Sequence, residues 1–292
     1  VVIEEFKQRY FNNPYGDIWL KLRPLAYKVH PYQWPTIGKN IDHIAGASLE
    51  EVEDFFHRFY APDNAILSIS GNITDEKALE LVKKWFGDIP PARYKRKALP
   101  MEPQQTEERR LVCEHNKVPA DAIYKVYHMG DRRSDNFYTC DTISDILSNG
   151  QSSRLYINLI KNGKLFSEVD AYITGDMDPG LFIFSGKLSE GVAIEEAEAA
   201  IQNEIDHFIE DPISERELQK VINKTEARIS YSEINYQGKS ANLAFFDYLG
   251  DVNLINSEST RYAEVSLDSI KQTARELFSA KNCSTLWYLK DK

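Results

Sequence analysis

The apolar positions between Ser48 and Ser70 change period once, and the change predicts a helix followed by a strand. Leu49, Val52, Phe55, Phe56 and Phe59 recur at helical spacing, Ser48 offers an N-cap hydroxyl, and Glu51 three residues on completes a capping-box pattern. The period breaks at Ala61-Pro62-Asp63-Asn64. Ala65 to Ser70 is then an apolar, partly β-branched run closed by Gly71, the pattern of a buried strand. The same unit returns 218 positions later: Ser266, Leu267, Asp268, Ile270, Leu277, Phe278 and Asn282 stand in the places of Ser48, Leu49, Glu50, Val52, Phe59, Tyr60 and Asn64. A unit repeated with its cap, its apolar face and its turn asparagine predicts two copies of one domain that mixes helices and sheet.

The rest of the pattern fills in around that repeat. Residues 1–22 are helical in period but broken at Asn12-Asn13-Pro14-Tyr15-Gly16, with the helix resuming through Ile18, Trp19, Leu22 and Leu25 and ending near His30-Pro31. His30 to Gly38 holds two prolines four apart and reads as a loop. Thr74 caps a helix that Gly87 stops, and the Pro-rich stretch 91–108, with its basic run Arg93 to Lys97, reads as a linker whose charges are solvated. Beyond it the pattern gives strands at 110–113, 122–128, 166–173 and 181–188. Helices follow at 136–147, 154–161, 193–210, 215–232 and 238–249, and the second helix-strand unit closes the chain. The expected fold class is α+β: two homologous domains of antiparallel sheet packed with helices, divided as 1–90, a linker at 91–108, and 109–292. Ser266 follows Arg109 by 157 positions, whereas Ser48 follows Val1 by 47. The repeat therefore predicts a first domain that is incomplete at its N-terminus, short of roughly 110 residues.

Composition changes this picture little. At 292 residues and 42 % hydrophobic there is ample core for two domains, and no apolar run is long enough for a membrane span. The formal net charge of −10 argues against nucleic acid as a partner and favours, if anything, cationic peptides. Cys113, Cys140 and Cys283 are odd in number and widely spaced, so they read as ordinary buried thiols.

Five motifs in order carry a resemblance: VVIEEFKQR, NNPYGDIW, HPYQWPTIG, SLEEVEDFFHRFYAPDNAILSISGNI and the WFGDIP ending, with NGQSSRLY in the second half. Together they resemble the insulinase and pitrilysin family of zinc peptidases, specifically its short two-domain bacterial members. The resemblance implies a zinc metalloendopeptidase in which two-domain units close like a clamshell around a peptide. It implies zinc held by an inverted H-x-x-E-H helix and a later glutamate, with the motif's own Glu as general base. Residue for residue, Glu5 is that later glutamate and Glu4 its neighbour. The histidine pair is not in this chain: His30, His43, His57, His115, His128 and His207 all lie outside any H-x-x-E-H. The family places that motif about 75 residues ahead of the glutamate, inside the stretch the repeat predicts to be missing. On this reading the fragment is expected to be inactive and not to bind zinc tightly, with Glu5 its one metal ligand and no catalytic residue of its own.

Active relatives or their partner subunits also carry an Arg and, seven residues on, a Tyr after the R-L-Y segment, which hold the substrate backbone and the developing oxyanion. Counted from Arg154-Leu155-Tyr156, those positions are Ile160 and Ser167. The resemblance thus implies a homo- or heterodimer in which another family subunit supplies the Arg/Tyr pair, or, alternatively, a non-catalytic structural or substrate-binding subunit. Plainer readings exist for each residue. Glu5 with Arg9 is an i,i+4 acid–base pair worth a few tenths of a kcal/mol, His30 is a loop histidine packing on Tyr32 and Trp34, His207 is favoured by a helix C-terminus, and Ser152 and Ser153 are capping residues.

Overall fold

A computed structural model describes residues 1–92, 94, 97–115, 118–211 and 213–291. Helices α1 (Val2–Tyr10) and α2 (Ile18–Ala26) flank the predicted break, and α3 (Ile41–Gly46) is a short addition. Then come α4 (Leu49–Phe59), α5 (Asp75–Phe86), β1 (Arg109–His115), β2 (Ala122–His128), α6 (Phe137–Ser148), β3 (Phe166–Ile173) and β4 (Leu181–Leu188). The chain continues through α7 (Ile194–Glu210), α8 (Glu215–Ser232), α9 (Tyr236–Leu249), α10 (Glu258–Ala263), α11 (Leu267–Leu277) and β5 (Cys283–Lys290). This is the α+β class. Among the described residues no helix is long and apolar enough to cross a membrane, and the basic run Arg93–Lys97 lies largely outside them.

The chain packs as two compact units. One takes residues 1–41, 99–223 and 262–292, the other 42–98 and 224–261, so the boundary falls inside α3, α8 and α10. The division read from the repeat concerns likeness of pattern; this one concerns packing. Residues 1–41 carry the opening motifs yet pack with the trailing sheet.

In the first unit five strands run in the order β1-β5-β2-β4-β3, antiparallel throughout except for β1 with β5, which is parallel. The antiparallel pairing expected from the sequence holds for three of the four strand pairs; the connection from β1 to the chain's last strand is a long crossover, which allows the one parallel pair. On one sheet face Val126, Ile183, Leu286 and Tyr288 pack under Ile18, Leu22, Ala26 and Tyr27 of the α2 segment. On the other, Phe278 at the end of α11 meets Tyr127, Phe182 and Phe184 with ring centroids 5.1–5.4 Å apart. α2 is seated by polar contacts as well. Tyr288 donates to the Asp17 carboxylate at 2.5 Å, and Tyr15, held at φ 60°, donates to the Ala120 carbonyl at 2.7 Å and accepts from its N–H at 3.1 Å.

The second unit begins as predicted. Ser48 and Glu51 form the capping box on α4, and Thr74 accepts from the Lys77 N–H at the start of α5. The predicted strand does not form: residues 65–70 belong to no regular element and have no ladder partner among the described residues, and Ile66, Leu67 and Ile69 are exposed. An apolar, β-branched run adopts strand geometry only when a neighbour takes its N–H and C=O groups, and here none does. No residue of α4 or α5 is buried.

Phe184 is fully buried in the ring cluster. Phe184→Ala is expected to lower unfolding free energy by about 3–5 kcal/mol. Phe56→Ala on the exposed face of α4 should change it by less than about 0.5 kcal/mol. Urea unfolding of both variants tests the contrast, and similar losses would contradict this packing.

Candidate functional site

Glu5 sits in the first turns of α1, a helix that buries only Phe6. Its carboxylate is exposed and 2.6 Å from Arg9 Nη2, while Glu4 pairs with Lys7 at 2.9 Å. The helix-surface pairing anticipated for Glu5 is thus the one present. Among the described residues no group of three His, Cys, Asp or Glu side chains could hold a metal ion. The residues present therefore do not make a zinc site: one monodentate carboxylate beside a guanidinium lacks the three protein ligands that zinc chemistry needs.

The HPYQW loop builds a polar cluster beside the opening helices. His30 is buried; its Nδ1 accepts from the Tyr32 N–H at 3.2 Å, its Nε2 lies 3.6 Å from Asp178, and its ring stands edge-on to Tyr32 at 4.3 Å. Tyr27 donates to the Pro179 carbonyl at 3.0 Å, and His128 Nε2 donates to the Ala26 carbonyl at 3.0 Å. Burial holds the His128 imidazole below its ordinary pKa and pushes the Asp176 carboxyl up. A buried histidine on tyrosine and aspartate is a packing role, as the sequence suggested for His30, although its ring partners are Tyr27 and Tyr32 rather than Trp34.

Sequence reasoning missed Glu102. It lies in the stretch read as a linker with solvated charges, yet its carboxylate accepts the N–H groups of Lys28, Val29 and His30 at 2.8, 2.8 and 2.9 Å. Burial pushes this carboxyl up, but the three N–H groups outweigh it and hold the pKa low. Glu102 flanked by Met101 and Pro103 gave no periodic signal to find it by. Also missed was Glu198 of α7. It accepts both Arg110 nitrogens at 2.6 and 2.7 Å and Trp287 Nε1 at 2.7 Å, with the buried Lys125 at 3.4 Å. These side chains line a cavity of about 590 Å³. Its two cations are already neutralised by Glu198 and Glu108, so the cluster reads as a structural ion network.

The R-L-Y segment departs from expectation. Residues 156–162 form a π-helix rather than an α-helix, and Lys164 just beyond it sits at φ 56°. Ile160 is half-buried within it, and Ser167 is exposed on β3 with its hydroxyl donating to the Lys187 carbonyl at 3.2 Å. Arg154 is committed elsewhere, bidentate to Glu217 at 2.9 and 3.2 Å. Ser152 accepts from Lys220 at 3.1 Å, Ser153 is buried, and His207 is exposed in the last turn of α7, 3.8 Å from Asp211.

Comparisons with known proteins agree on the lineage. A family model described as Peptidase M16 inactive domain matches residues 46–225. The chain is 26 % identical over 296 residues to "Zinc protease PqqE" of Helicobacter pylori, covering 98 % of this chain and 65 % of that protein. It therefore spans just under two thirds of this relative's length. Among solved structures, a protease from Helicobacter pylori superposes with a TM-score of 0.90 at 23 % identity, covering 98 % of this chain and 70 % of that one. The peptidase M16 inactive domain from Pseudomonas fluorescens gives 0.87 at 13 % identity, covering 100 % and 68 %. At such identities the structural matches speak for the fold alone.

The Arg154–Glu217 pair makes a prediction about acid stability. Burial pushes the Glu217 carboxyl up, but the Arg154 guanidinium and the Ser214 N–H and hydroxyl push it further down, to about 2 from an ordinary 4.5. A depressed carboxyl stabilises fully above its unfolded pKa, and that share is lost as pH falls from about 4.5 towards 2. Glu217→Gln is expected to flatten this part of the curve. Urea midpoints between pH 6 and 2.5 test it; parallel curves for wild type and variant would refute it.

Proposed function

The chain belongs to the M16 peptidase family, and from that premise we propose that it is part of a zinc metalloendopeptidase acting on peptides enclosed between two-domain units. The observation that carries the reading is the family match across most of the chain, with a similar protein named as a zinc protease. Glu5 is the proposed carboxylate ligand, and its exposure and its weak surface pairing with Arg9 leave it free to turn to a metal. The two imidazoles and the general base come from outside these 292 residues, since the described residues hold no set that binds zinc. No step of peptide hydrolysis is assigned to this chain's own side chains.

Its share is structural and substrate-facing: it presents the sheet of β1–β5 and the α2 loop that packs over it. The positions at which relatives carry an Arg and a Tyr are Ile160 and Ser167 here, so the proposed active species is a homo- or heterodimer in which another family subunit supplies that pair. A second reading has its own support. The matching family model describes an inactive domain, and Ile160 and Ser167 offer neither cation nor phenol, which favours a non-catalytic structural or substrate-binding subunit.

Zinc content separates the parts of this proposal. With the complete encoded protein, wild type is expected to retain about one zinc per chain and Glu5→Gln far less, while the 292-residue chain alone retains almost none. Equal zinc in wild type and variant would refute the ligand assignment. Rapid peptide cleavage by the complete protein purified alone would remove the case for a partner.

A further inference from the structure

Residues 99–104 are held to the first unit by a single fastening. Leu99, Met101, Pro103 and Gln104 are exposed, and Pro100 and Pro103 have no N–H to give. Among the described residues, Glu102 is the one member of the stretch that forms hydrogen bonds, and all three go to one place, the N–H groups of Lys28, Val29 and His30. The next fixed point is the buried Gln105. It donates to the carbonyls of Glu107 and Cys283 at 2.9 and 2.6 Å and accepts from the Ser284 hydroxyl at 3.2 Å. The stretch is thus anchored at Gln105 and closed by one carboxylate.

The groups that receive this carboxylate have the form of a ligand site. α2 ends at Ala26, Tyr27 is extended at φ −100° and ψ 133°, and the next three N–H groups make no hydrogen bond to the backbone. Glu102 Oε1 takes the Lys28 N–H at 2.8 Å, and Oε2 takes those of Val29 and His30 at 2.8 and 2.9 Å. Three consecutive donors therefore converge on one anion, an arrangement by which backbone alone captures carboxylates. Cations gather beside them. Lys28 Nζ donates to the Pro24 carbonyl at 2.7 Å, and Arg109 donates to the carbonyls of Leu25 and Ala26. The carbonyls at this helix end draw positive charge, and the N–H cradle just past them takes the negative charge.

We propose that the N–H groups of residues 28–30 are a carboxylate-binding site whose resident ligand is the protein's own Glu102, and that residues 99–104 are a strap that lifts when that carboxylate is withdrawn. The ligand class is a carboxylate on a short apolar stem, as the glutamate presents its two oxygens on two methylenes. The tether keeps this carboxylate at high effective concentration, so a free one fills the site only once the tethered one is removed. The inference uses neither Glu5 nor the positions of Ile160 and Ser167, so it stands or falls apart from the peptidase reading.

Glu102→Ala tests it, because the substitution removes Cγ, Cδ and both oxygens, the four heavy atoms of an acetate ion. Hydrogen exchange followed by mass spectrometry reads the three amides directly. In the variant, amides 28–30 are expected to exchange at least about 10-fold faster than in wild type, and added acetate to restore slow exchange saturably. Acetamide, with the same shape and no charge, and chloride at the same ionic strength should not. Chymotrypsin cleavage after Met101 should quicken in the variant and slow again with acetate. Unchanged exchange at 28–30, a release that acetate does not reverse, or equal reversal by acetamide or chloride would overturn the site, and unchanged cleavage after Met101 would overturn the strap. Amides of β2 are expected to stay protected throughout. Where Glu102→Ala loses that protection as well, Glu102→Gln keeps the side chain's shape without its charge: faster exchange at 28–30 over a protected β2 is expected, and wild-type exchange there would overturn the proposal.

Discussion

A strand has to spend its backbone hydrogen bonds on both sides, and in this protein that requirement sorts everything else. β5 meets it. Lying between β1 and β2, it has a partner along both edges from Ser284 to Tyr288, and with those bonds made its side chains can be buried: Thr285, Leu286 and Tyr288 have essentially no exposure. Residues 65–70 carry a comparable run of apolar and β-branched side chains, pair with no strand among the described residues, and leave Ile66, Leu67 and Ile69 exposed. An unpaired buried N–H or C=O costs about 1–3 kcal/mol, so six unpaired residues cannot be driven under cover by hydrophobicity alone. The helices follow the strands. The apolar face of α11 is buried because a sheet and two helices stand against it, whereas Leu49, Val52, Phe55 and Phe56 of α4 are exposed among the described residues.

The same constraint explains why the opening residues pack with the trailing sheet. One face of that sheet presents Val126, Ile183, Leu286 and Tyr288, and the α2 segment supplies the cover. Its seat is specified by polar contacts that hydrophobic matching could not provide. Asp17 takes the Tyr288 hydroxyl, Tyr15 clamps both backbone groups of Ala120, and Arg109 donates to the carbonyls of Leu25 and Ala26 that end α2. Glu102 does the complementary task, taking the three free N–H groups just past that helix end. Holding a non-glycine residue such as Tyr15 at φ 60° costs about 1 kcal/mol or more, and the two hydrogen bonds to Ala120 offset it.

Where the sequence could be read, it was read through local periodicity. The spans of β2, β3, β4 and α8 follow from alternation and helical spacing because each is long enough for its period to show and has its partner close in the fold. Residues 65–70 have a strand's composition, but a strand also needs a neighbour, and no local pattern reports whether one is there. The π-helix at 156–162 falls where the sequence predicts a helix over 154–161; the wider turn is visible only in the backbone. Glu102 and Glu198 escaped because their partners are 72 to 89 positions away in sequence. Conversely, Glu5 was found only through a family resemblance, since nothing local sets an exposed helix glutamate apart from its neighbour Glu4.

The contact between Glu5 and Arg9 does not weigh against a metal-binding role for Glu5. Both partners are about half exposed or more, and a pair of that kind is worth at most about 1 kcal/mol, whereas a structural zinc site contributes about 10–16 kcal/mol on assembly. Any carboxylate kept accessible for a metal, in a chain without the other ligands, will settle on the nearest guanidinium, and on a helix that is the residue four positions away. The pairing therefore records what Glu5 does without imidazoles and is silent on what it does with them. What decides between enzyme and scaffold is thus not the rotamer of Glu5 but whether two imidazoles are brought to it.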